Sequence, residues 1–543
     1  MPKYLVLSGS ILALAAATLV ACNGQNEPMG LTASTSQESA TADAGGIASS
    51  SALAGGPQIG LQPAYPVHQS LEAYQAFEDS DVKRVAEAPV STFAIDVDSG
   101  SYANIRRFLM NGQKPPQHAV RVEEMLNYFT YDYRGPTDSA QPFLASSDIM
   151  TTPWNANTML LRVGIKGYAP VMDDRPPANL VFLIDVSGSM QDTDKLPLLK
   201  SSMKLLVDEL GDDDKITIVT YAGNAGLVLA PTSAGEKARI KTAIDGLDAG
   251  GSTAGGEGIQ LAYAKAREAL IEGGINRILL ATDGDFNVGV TDIGQLKEMI
   301  EEARKSGIAL STLGFGEGNY NDALMEQIAD IGNGNYGYVD SLKEAKRLLV
   351  DSLGGTMMTI AKDVKIQIEF NPAVIAEYRL IGYENRALNR EDFNNDAKDA
   401  GEIGAGHTVT ALYEIALVGS KGLSVDPLRY QVEPDQTGEG EPIRAEEFAL
   451  LRLRYKAPDG DVSKLIETPL PSAWLKQERD PSADDKFAAA VAAFGQYLRG
   501  GERLGQFDLD QIAALARAGR GADEDGYRAE FIDLVELADG VSR

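Results

Sequence analysis

The central third of the chain has the most regular pattern of apolar and polar positions. A continuous apolar run falls at 180–184, and short, mainly apolar segments that predict further strands fall at 215–221, 277–281 and 308–313. Segments with helical spacing lie between or after them, at 196–210, 258–270, 296–305 and 342–353. Uninterrupted apolar runs are typical of strands buried on both faces. The alternation therefore predicts an α/β domain at 176–354, with a doubly wound, mainly parallel sheet.

The regions on either side show a different pattern. Alternating strands are predicted at 91–97 and 157–165, and again at 364–370, 408–417 and 448–455. Short helices are predicted at 102–110 and 122–129, and longer ones at 484–498, 509–518 and 527–537. We therefore predict an α+β flank at 69–175, a β-rich flank at 355–470 and a helical region at 471–543.

Neither flank has a complete set of strands by itself. Domains tolerate insertion where the two ends of the inserted segment lie close together. We therefore predict that the α/β domain is inserted into a β-rich flanking domain, and that the two flanks pack on each other and share strands.

The first 21 residues have the composition of a signal peptide. Residues 4–21 are almost uniformly apolar behind Lys3 and are short for a membrane span. They end in Leu19-Val20-Ala21-Cys22, which resembles a bacterial lipobox. The resemblance implies lipidation of Cys22, and Asn23 after it implies the outer membrane of the cell envelope. The alternative is an uncleaved signal anchor in which the cysteine stands by chance.

Residues 22–68 are predicted to be a flexible tether, because small and polar residues dominate them. The whole chain has 49 Lys and Arg against 78 Asp and Glu, a net charge of -29. Such a charge repels phosphate and disfavours nucleic acid as a partner. The single cysteine and three separated histidines disfavour a disulfide or a zinc hydrolase with paired histidines.

Three short motifs follow predicted strands or precede a helix. Asp185-Val186-Ser187-Gly188-Ser189 follows the first strand of the α/β domain, and Thr282-Asp283-Gly284 follows the strand at 277–281. Gly250-Gly251-Ser252-Thr253 precedes a predicted helix. In doubly wound sheets, ligands bind at the carboxyl ends of strands. Hydroxyl and carboxylate oxygens are the ligands that hard divalent cations prefer, so we predict a metal site there.

Together these motifs resemble the metal-ion-dependent adhesion site of von Willebrand factor A and integrin inserted domains. The matching positions are Asp185, Ser187, Ser189, Thr253 and Asp283. The resemblance implies that the three hydroxyls bind the ion directly and that the two aspartates balance its charge, often through water. It implies Mg²⁺, or Mn²⁺ or Ca²⁺ in its place. The last coordination position would accept an acidic side chain of a protein partner.

The flanks also resemble a family. The segment at 93–133, with the run AVRVEEMLNYF, and the segment at 370–386 resemble those around this domain in a family of bacterial lipoproteins. The sequence therefore predicts a non-enzymatic envelope lipoprotein that binds a protein through its metal site. A metal-dependent hydrolase is one alternative, with Asp285 and Glu257 as weakly supported bases. An envelope scaffold with a structural metal is the other.

One further motif, Asp96-Val97-Asp98-Ser99-Gly100-Ser101, resembles two different sites. As a metal motif its spacing fails, because Asp98 stands where a serine is required. As the start of a haloacid dehalogenase-type phosphatase it lacks the following strand and helix series. We predict instead that it ends a strand and caps the helix after it, with Ser99 or Ser101 as N-cap.

Overall fold

The structure, a computed structural model, describes residues 72–170, 175–251, 255–284, 293–352, 355, 358–398, 400–426, 446–458, 460–477 and 479–542. All of them belong to one of the two units into which the chain divides, Val67–Arg543. The predicted signal peptide, the lipidation residue Cys22 and the metal-site residue Thr253 lie outside the described residues.

The strands and helices are labelled in chain order. The strands are β1 (Lys83–Arg84), β2 (Val90–Ala94), β3 (Phe143–Thr152), β4 (Asn155–Gly167), β5 (Ala178–Asp185), β6 (Lys215–Tyr221), β7 (Ala225–Ser233), β8 (Ile275–Thr282), β9 (Ala309–Phe315), β10 (Tyr336–Val339), β11 (Thr359–Phe370), β12 (Ile375–Ile381), β13 (Ala387–Leu388), β14 (Glu402–Gly404), β15 (Thr408–Leu417), β16 (Glu447–Lys456) and β17 (Ser463–Pro471). The helices are α1 (Gly100–Met110), α2 (Val122–Tyr128), α3 (Leu196–Glu209), α4 (Lys237–Asp245), α5 (Gly255–Glu268), α6 (Ile293–Arg304), α7 (Asp322–Ile331), α8 (Leu342–Lys346), α9 (Ala483–Leu498), α10 (Leu509–Gly519) and α11 (Tyr527–Ser542).

The central domain is built on a six-stranded sheet with the order β10-β9-β8-β5-β6-β7. Its strands are parallel except for the edge strand β7, which runs antiparallel to β6. Alternate residues of β5 face opposite sides: Leu180, Phe182 and Ile184 pack with α3 and α4, whereas Val181 and Leu183 pack with α5, α6 and α7. Both faces of the sheet are covered, which is why β5 is an uninterrupted apolar run.

The two flanks share strands, which confirms the prediction that they pack on each other. One sheet has the order β1-β12-β15-β4-β3 and the other β13-β2-β11-β16-β17. In the first, β4 from before the central domain pairs antiparallel with β15 from after it. In the second, β2 pairs with β11 in the same way. Side chains from both sheets form one hydrophobic core.

The C-terminal helices pack against the helices of the first flank. Tyr102 of α1 and Phe129 after α2 lie in the same hydrophobic core as Phe487 of α9 and Phe531 of α11. The ring centroids of Phe129 and Phe487 are 4.9 Å apart. The helical region at the end of the chain is therefore part of the body that holds the central domain.

Helix α1 joins this core to the central sheet. It begins at Gly100, and a Cβ added there would lie 2.3 Å from the ring of Tyr336 on the edge strand β10. Ser99 holds the N-cap position, as predicted, but its side chain makes no cap hydrogen bond and accepts instead from Arg347, at 2.6 Å. Ser101, the other predicted cap, donates its hydroxyl to the carbonyl of Ala119, at 2.6 Å. These serines connect separate elements.

Candidate metal centre

The carboxyl ends of two neighbouring strands form the predicted site. Strands β5 and β8 pair in parallel, with Ile184 opposite Ala281. Asp185, the last residue of β5, and Asp283, the first residue after β8, therefore lie at the same edge of the sheet. Both are almost fully buried, with 0% and 1% of their surface exposed.

Hydrogen bonds fix the Asp185 carboxylate in one orientation. Its Oδ1 accepts from the backbone N–H of Ser187 at 2.8 Å, and its Oδ2 accepts from the hydroxyl of Thr282 at 2.9 Å. Burial raises the pKa of Asp185 to about 6, against the effect of these bonds, and the nearby Asp283 raises it further. Two buried carboxylates near enough to affect each other's pKa favour a cation between or beside them.

The two predicted serine ligands lie side by side. The backbone is extended at Ser187 and then enters a short 3₁₀ turn at Gly188–Gln191. As a result, the hydroxyl oxygens of Ser187 and Ser189 are 3.0 Å apart. Neighbouring ligands of an octahedral Mg²⁺ ion, with bonds of about 2.1 Å, are separated by roughly 3 Å. The spacing of these two hydroxyls therefore fits such an ion.

Two backbone hydrogen bonds connect the glycine loop at Gly250 and Gly251 to this turn. Gly250 donates its backbone N–H to the carbonyl of Val186 at 2.7 Å, and Gly188 donates to the carbonyl of Gly251 at 3.1 Å. Gly251 has a φ of +91°, a conformation that favours glycine. Thr253, the remaining predicted ligand, is outside the described residues, so its distance to the serines stays a prediction.

Among the described residues, Lys195 contacts the site although the sequence did not predict it. Its ammonium lies 3.1 Å from Asp283 Oδ2, and the whole residue is only 5% exposed. Its aliphatic chain packs against Gly316, where an added Cβ would lie 2.2 Å from Lys195 Cε. The ammonium therefore offsets one of the two carboxylates. In the sequence, Lys195 is recognisable only as a lysine that precedes a predicted helix.

A second group of buried carboxylates is made of other residues. Oxygen atoms of Asp98, Glu124 and Glu326 all lie within 4.8 Å of one another. Arg386 donates to Asp98 at 3.1 Å and to Glu326 at 3.0 Å. Arg121 pairs with Glu124 and donates to Asp322 at 2.6 Å. We call these residues the arginine clasp: Asp98, Arg121, Glu124, Asp322, Glu326 and Arg386.

The clasp explains the motif at 96–101. Asp98 accepts from the backbone N–H of Tyr336 at 2.8 Å and pairs with Arg386. It therefore joins the first flank to the edge of the central sheet and to the second flank. Guanidinium groups hold several carboxylates in a fixed geometry, which gives the cluster a structural role.

The fold and the paired motifs at the sheet edge define a von Willebrand factor type A domain. The family model "von Willebrand factor type A domain" matches residues 179–350. The model "von Willebrand factor" matches residues 68–162, and "Uncharacterized protein YfbK, C-terminal" matches residues 355–541. Domains of this class commonly carry a metal-ion-dependent adhesion site that binds proteins, and they are generally non-enzymatic.

The chain belongs to the YfbK family. It is 50% identical over 475 residues to "Uncharacterized protein YfbK" of Escherichia coli K12, a match that covers 86% of this chain and 81% of that protein. It is also 26% identical over 371 residues to "Uncharacterized protein sll0103" of Synechocystis, covering 65% of this chain and 82% of that protein. The prediction of a bacterial family with this central domain and both flanks is confirmed.

Two solved structures show more distant likeness. The "von Willebrand factor type A from Catenulispora acidiphila" is 17% identical, covers 73% of this chain and 89% of that chain, and has a TM-score of 0.39. The mussel byssus proximal thread matrix protein 1 "with zinc occupied MIDAS motif" is 25% identical, covers 35% of this chain and 46% of that chain, and has a TM-score of 0.28.

Among the described residues, none of the helices is both long and apolar enough to span a membrane.

Proposed function

We propose that this protein binds an acidic side chain of a protein partner through a divalent cation at the edge of its central sheet. The observation that carries the proposal is the pair of serine hydroxyls 3.0 Å apart beside two buried aspartates. Ser187, Ser189 and Thr253 would hold the ion, with Asp185 and Asp283 balancing its charge. A bound Mg²⁺ would supply an open coordination position that a carboxylate fills.

The chemistry of the donors favours a binding site. Serine hydroxyls are neutral, and Lys195 already offsets Asp283, so the protein leaves much of an ion's positive charge unbalanced. An acidic ligand would complete that balance, and its carboxylate geometry would give the interaction direction. Recognition of a protein side chain by this site is thus the use that best fits its charges.

The hydrolase alternative gains no support from the site. Glu257, one of the two bases considered, is exposed on α5, and Asp285 lies outside the described residues. A general base must lie within hydrogen-bond reach of the proton that it removes. We therefore keep binding as the proposed function.

Calorimetry on the full chain tests the metal site. We expect Mg²⁺ and Mn²⁺ to bind wild type at a 1:1 ratio, and Asp185→Ala or Ser187→Ala to weaken binding by at least about tenfold, roughly 1.4 kcal/mol. Ser201→Ala is the matched control, because Ser201 is an exposed serine whose hydroxyl donates to Pro197 within helix α3. No binding to wild type at millimolar ion would overturn the proposal.

A pull-down from cell extract tests the partner. Bead-bound wild type in Mg²⁺ should capture proteins that EDTA releases and that Asp185→Ala fails to capture. Glutamate or aspartate replacement in the captured protein should then abolish the interaction. Capture that is unchanged by EDTA and by the substitution would support a scaffold with a structural metal instead.

We also propose that the protein is anchored to a membrane of the cell envelope, the outer one, by lipid on Cys22. The support is the lipobox-like sequence, since Cys22 lies outside the described residues. Wild type should fractionate with membranes and incorporate labelled fatty acid, and Cys22→Ser should do neither. Membrane fractionation of Cys22→Ser at the wild-type level would contradict this.

A further inference from the structure

A cavity of about 330 Å³ lies between the central domain and the two flanks. The central domain contributes Arg277, Asp330 and the turn around Asn333, and the flanks contribute Asp96, Arg386 and Glu402, among others. Arg277 is near the amino end of β8, about 16 Å along the strand from the carboxyl end at Thr282. The cavity is therefore distinct from the candidate metal centre.

Arg277 is the unusual feature of this cavity. The residue is 5% exposed, and its Nη1 donates to the Ser311 hydroxyl at 2.6 Å and to Asn335 Oδ1 at 3.4 Å. Its Nε has no hydrogen-bond partner among the described residues. No described carboxylate forms an ion pair with it either, whereas Arg106, Arg121, Arg347 and Arg386 all have one.

A buried guanidinium with an unpartnered N–H is unfavourable, because burial removes the water that solvates it. Burial lowers the pKa of Arg277 to about 10, with the nearby Glu402 carboxylate opposing that effect, so Arg277 still carries its charge at neutral pH. A positive charge that lines a cavity and has a spare donor, with no carboxylate in direct contact, favours an anionic ligand.

Other groups of the cavity wall define the rest of the ligand. Asn385 Nδ2 is a second buried donor and Asp330 Oδ1 a buried acceptor, and both lack a hydrogen-bond partner among the described residues. The guanidinium of Arg386 already forms ion pairs with Asp330 and with Asp98 and Glu326 of the arginine clasp. Glu402 accepts from Thr359 at 2.8 Å and from Asn333 at 3.2 Å.

The remaining ionisable groups fit the same ligand. Burial raises the pKa of Asp96 to about 8, and the neighbouring Asp330 raises it further. Burial lowers the pKa of His407 to about 4, so His407 is uncharged at neutral pH. Lys398 also lines the cavity. The wall thus offers a positive charge and unpartnered donors for an anion, and acceptors for a second group of the ligand.

We propose that this cavity binds a small carboxylic acid that carries a hydroxyl or ammonium group beside its carboxylate. The carboxylate would pair with Arg277, with Asn385 as a further donor, and the second group would donate to Asp330. A volume of about 330 Å³ is at the lower end of ligand pockets, which agrees with a small ligand. Because its wall comes from the central domain and both flanks, a bound ligand holds them together.

The test compares three acids of equal length: propionate, lactate and alanine. We expect saturation-transfer NMR to show lactate or alanine binding to the full chain at least about fivefold more tightly than propionate, and to raise the unfolding temperature. Arg277→Met should abolish binding, and the exposed control Arg239→Met should retain it. Asn385→Ala removes only one hydrogen-bond donor from the cavity wall, so it should weaken binding severalfold.

Two outcomes overturn the proposal: none of the three acids binds, or Arg277→Met binds them as wild type does. Inorganic phosphate is included as a fourth probe, and binding of phosphate alone would overturn the carboxylic-acid class. A circular dichroism spectrum like that of wild type shows that Arg277→Met is folded. Asp185→Ala should leave acid binding unchanged, so this test and that of the metal site fail or succeed independently.

Discussion

The two groups of buried carboxylates in this molecule have different partners: hydroxyl groups and a lysine in one, and arginines in the other. At the sheet edge, Asp185 and Asp283 lie beside two serine hydroxyls and one lysine. In the arginine clasp, four carboxylates lie against the two guanidiniums of Arg121 and Arg386. Each guanidinium has five donors in a rigid plane, so it satisfies several oxygens at once.

The difference shows how similar residues reach different roles. The clasp joins α2, α7 and both flanks, and each of its carboxylates is paired with a guanidinium of the protein, which fixes the position of the central domain. The edge site is built on turns after strands, where neutral hydroxyls leave room for an outside ion. The expected effects of substitution should therefore be on stability in one cluster and on binding in the other.

The largest expected effect is on the clasp. Arg121→Met leaves Glu124 and Asp322 buried without their cation, so the free energy of unfolding should fall by about 3–5 kcal/mol. Urea denaturation followed by circular dichroism measures this. Arg239→Met, which removes an exposed arginine at 58% exposure, should change stability by less than about 0.5 kcal/mol. A clasp variant as stable as this control would show that the cluster is not structural.

A smaller effect is expected at Lys195, where substitution should strengthen metal binding. Lys195→Met removes the ammonium from Asp283 and leaves a more negative site, so Mg²⁺ affinity should rise by about tenfold, roughly 1.4 kcal/mol. Calorimetry of the full chain measures the change. Lys204→Met is the control, because Lys204 pairs with Asp245 on the surface. Weaker binding by Lys195→Met would mean that the lysine instead positions Asp283 for the ion.

The smallest expected effect is the pH dependence of the clasp. Burial raises the pKa of Glu326 to about 7, above its ordinary value, so between about pH 4.5 and 7 the folded state binds more protons than the unfolded one. The stability that Glu326 contributes is therefore fully present below about pH 4.5, decreases as the pH rises above that value and is lost once the pH has passed about 7. Glu326→Gln cannot ionise, and it should reduce that loss by on the order of 1 kcal/mol.

Urea midpoints at pH 5, 6, 7 and 8 provide this measurement. Glu268→Gln, an exposed carboxylate on α5, should leave the pH profile as it is in wild type. A wild-type stability that increases steadily from pH 5 to pH 8, with the same slope in Glu326→Gln, would show that Glu326 is ionised throughout.

Local patterns in the sequence predict the central sheet well, because its inner strands are short, mainly apolar segments. The edge strand β7 was missed: it is half exposed, with Leu227 at 42%, and Gly226 and Pro231 interrupt its pattern. Strand β17 was missed for the same reason, since few of its side chains are buried. Edge strands lack the double burial that makes a strand visible in sequence.

The two carboxylate clusters differ in the same way. Asp185, Ser187 and Ser189 are close in sequence, so a motif could predict that they come together. Arg121 and Asp322 are 201 positions apart, and the fold alone makes them partners. Lys195 follows the motif by six positions, but its contact with Asp283 depends on the packing of its chain against Gly316.

The pairing of β4 with β15 has a consequence for the order of events during synthesis. Residues 155–167 emerge from the ribosome long before their partner strand at 408–417 has been made. The central domain between them is complete by then and can fold first, because its strands pair among themselves. Until the second flank arrives, the edge of β4 that later pairs with β15 is open, and it is prone to pairing with other chains. A chain that terminates after the central domain should therefore aggregate, even though that domain is intact.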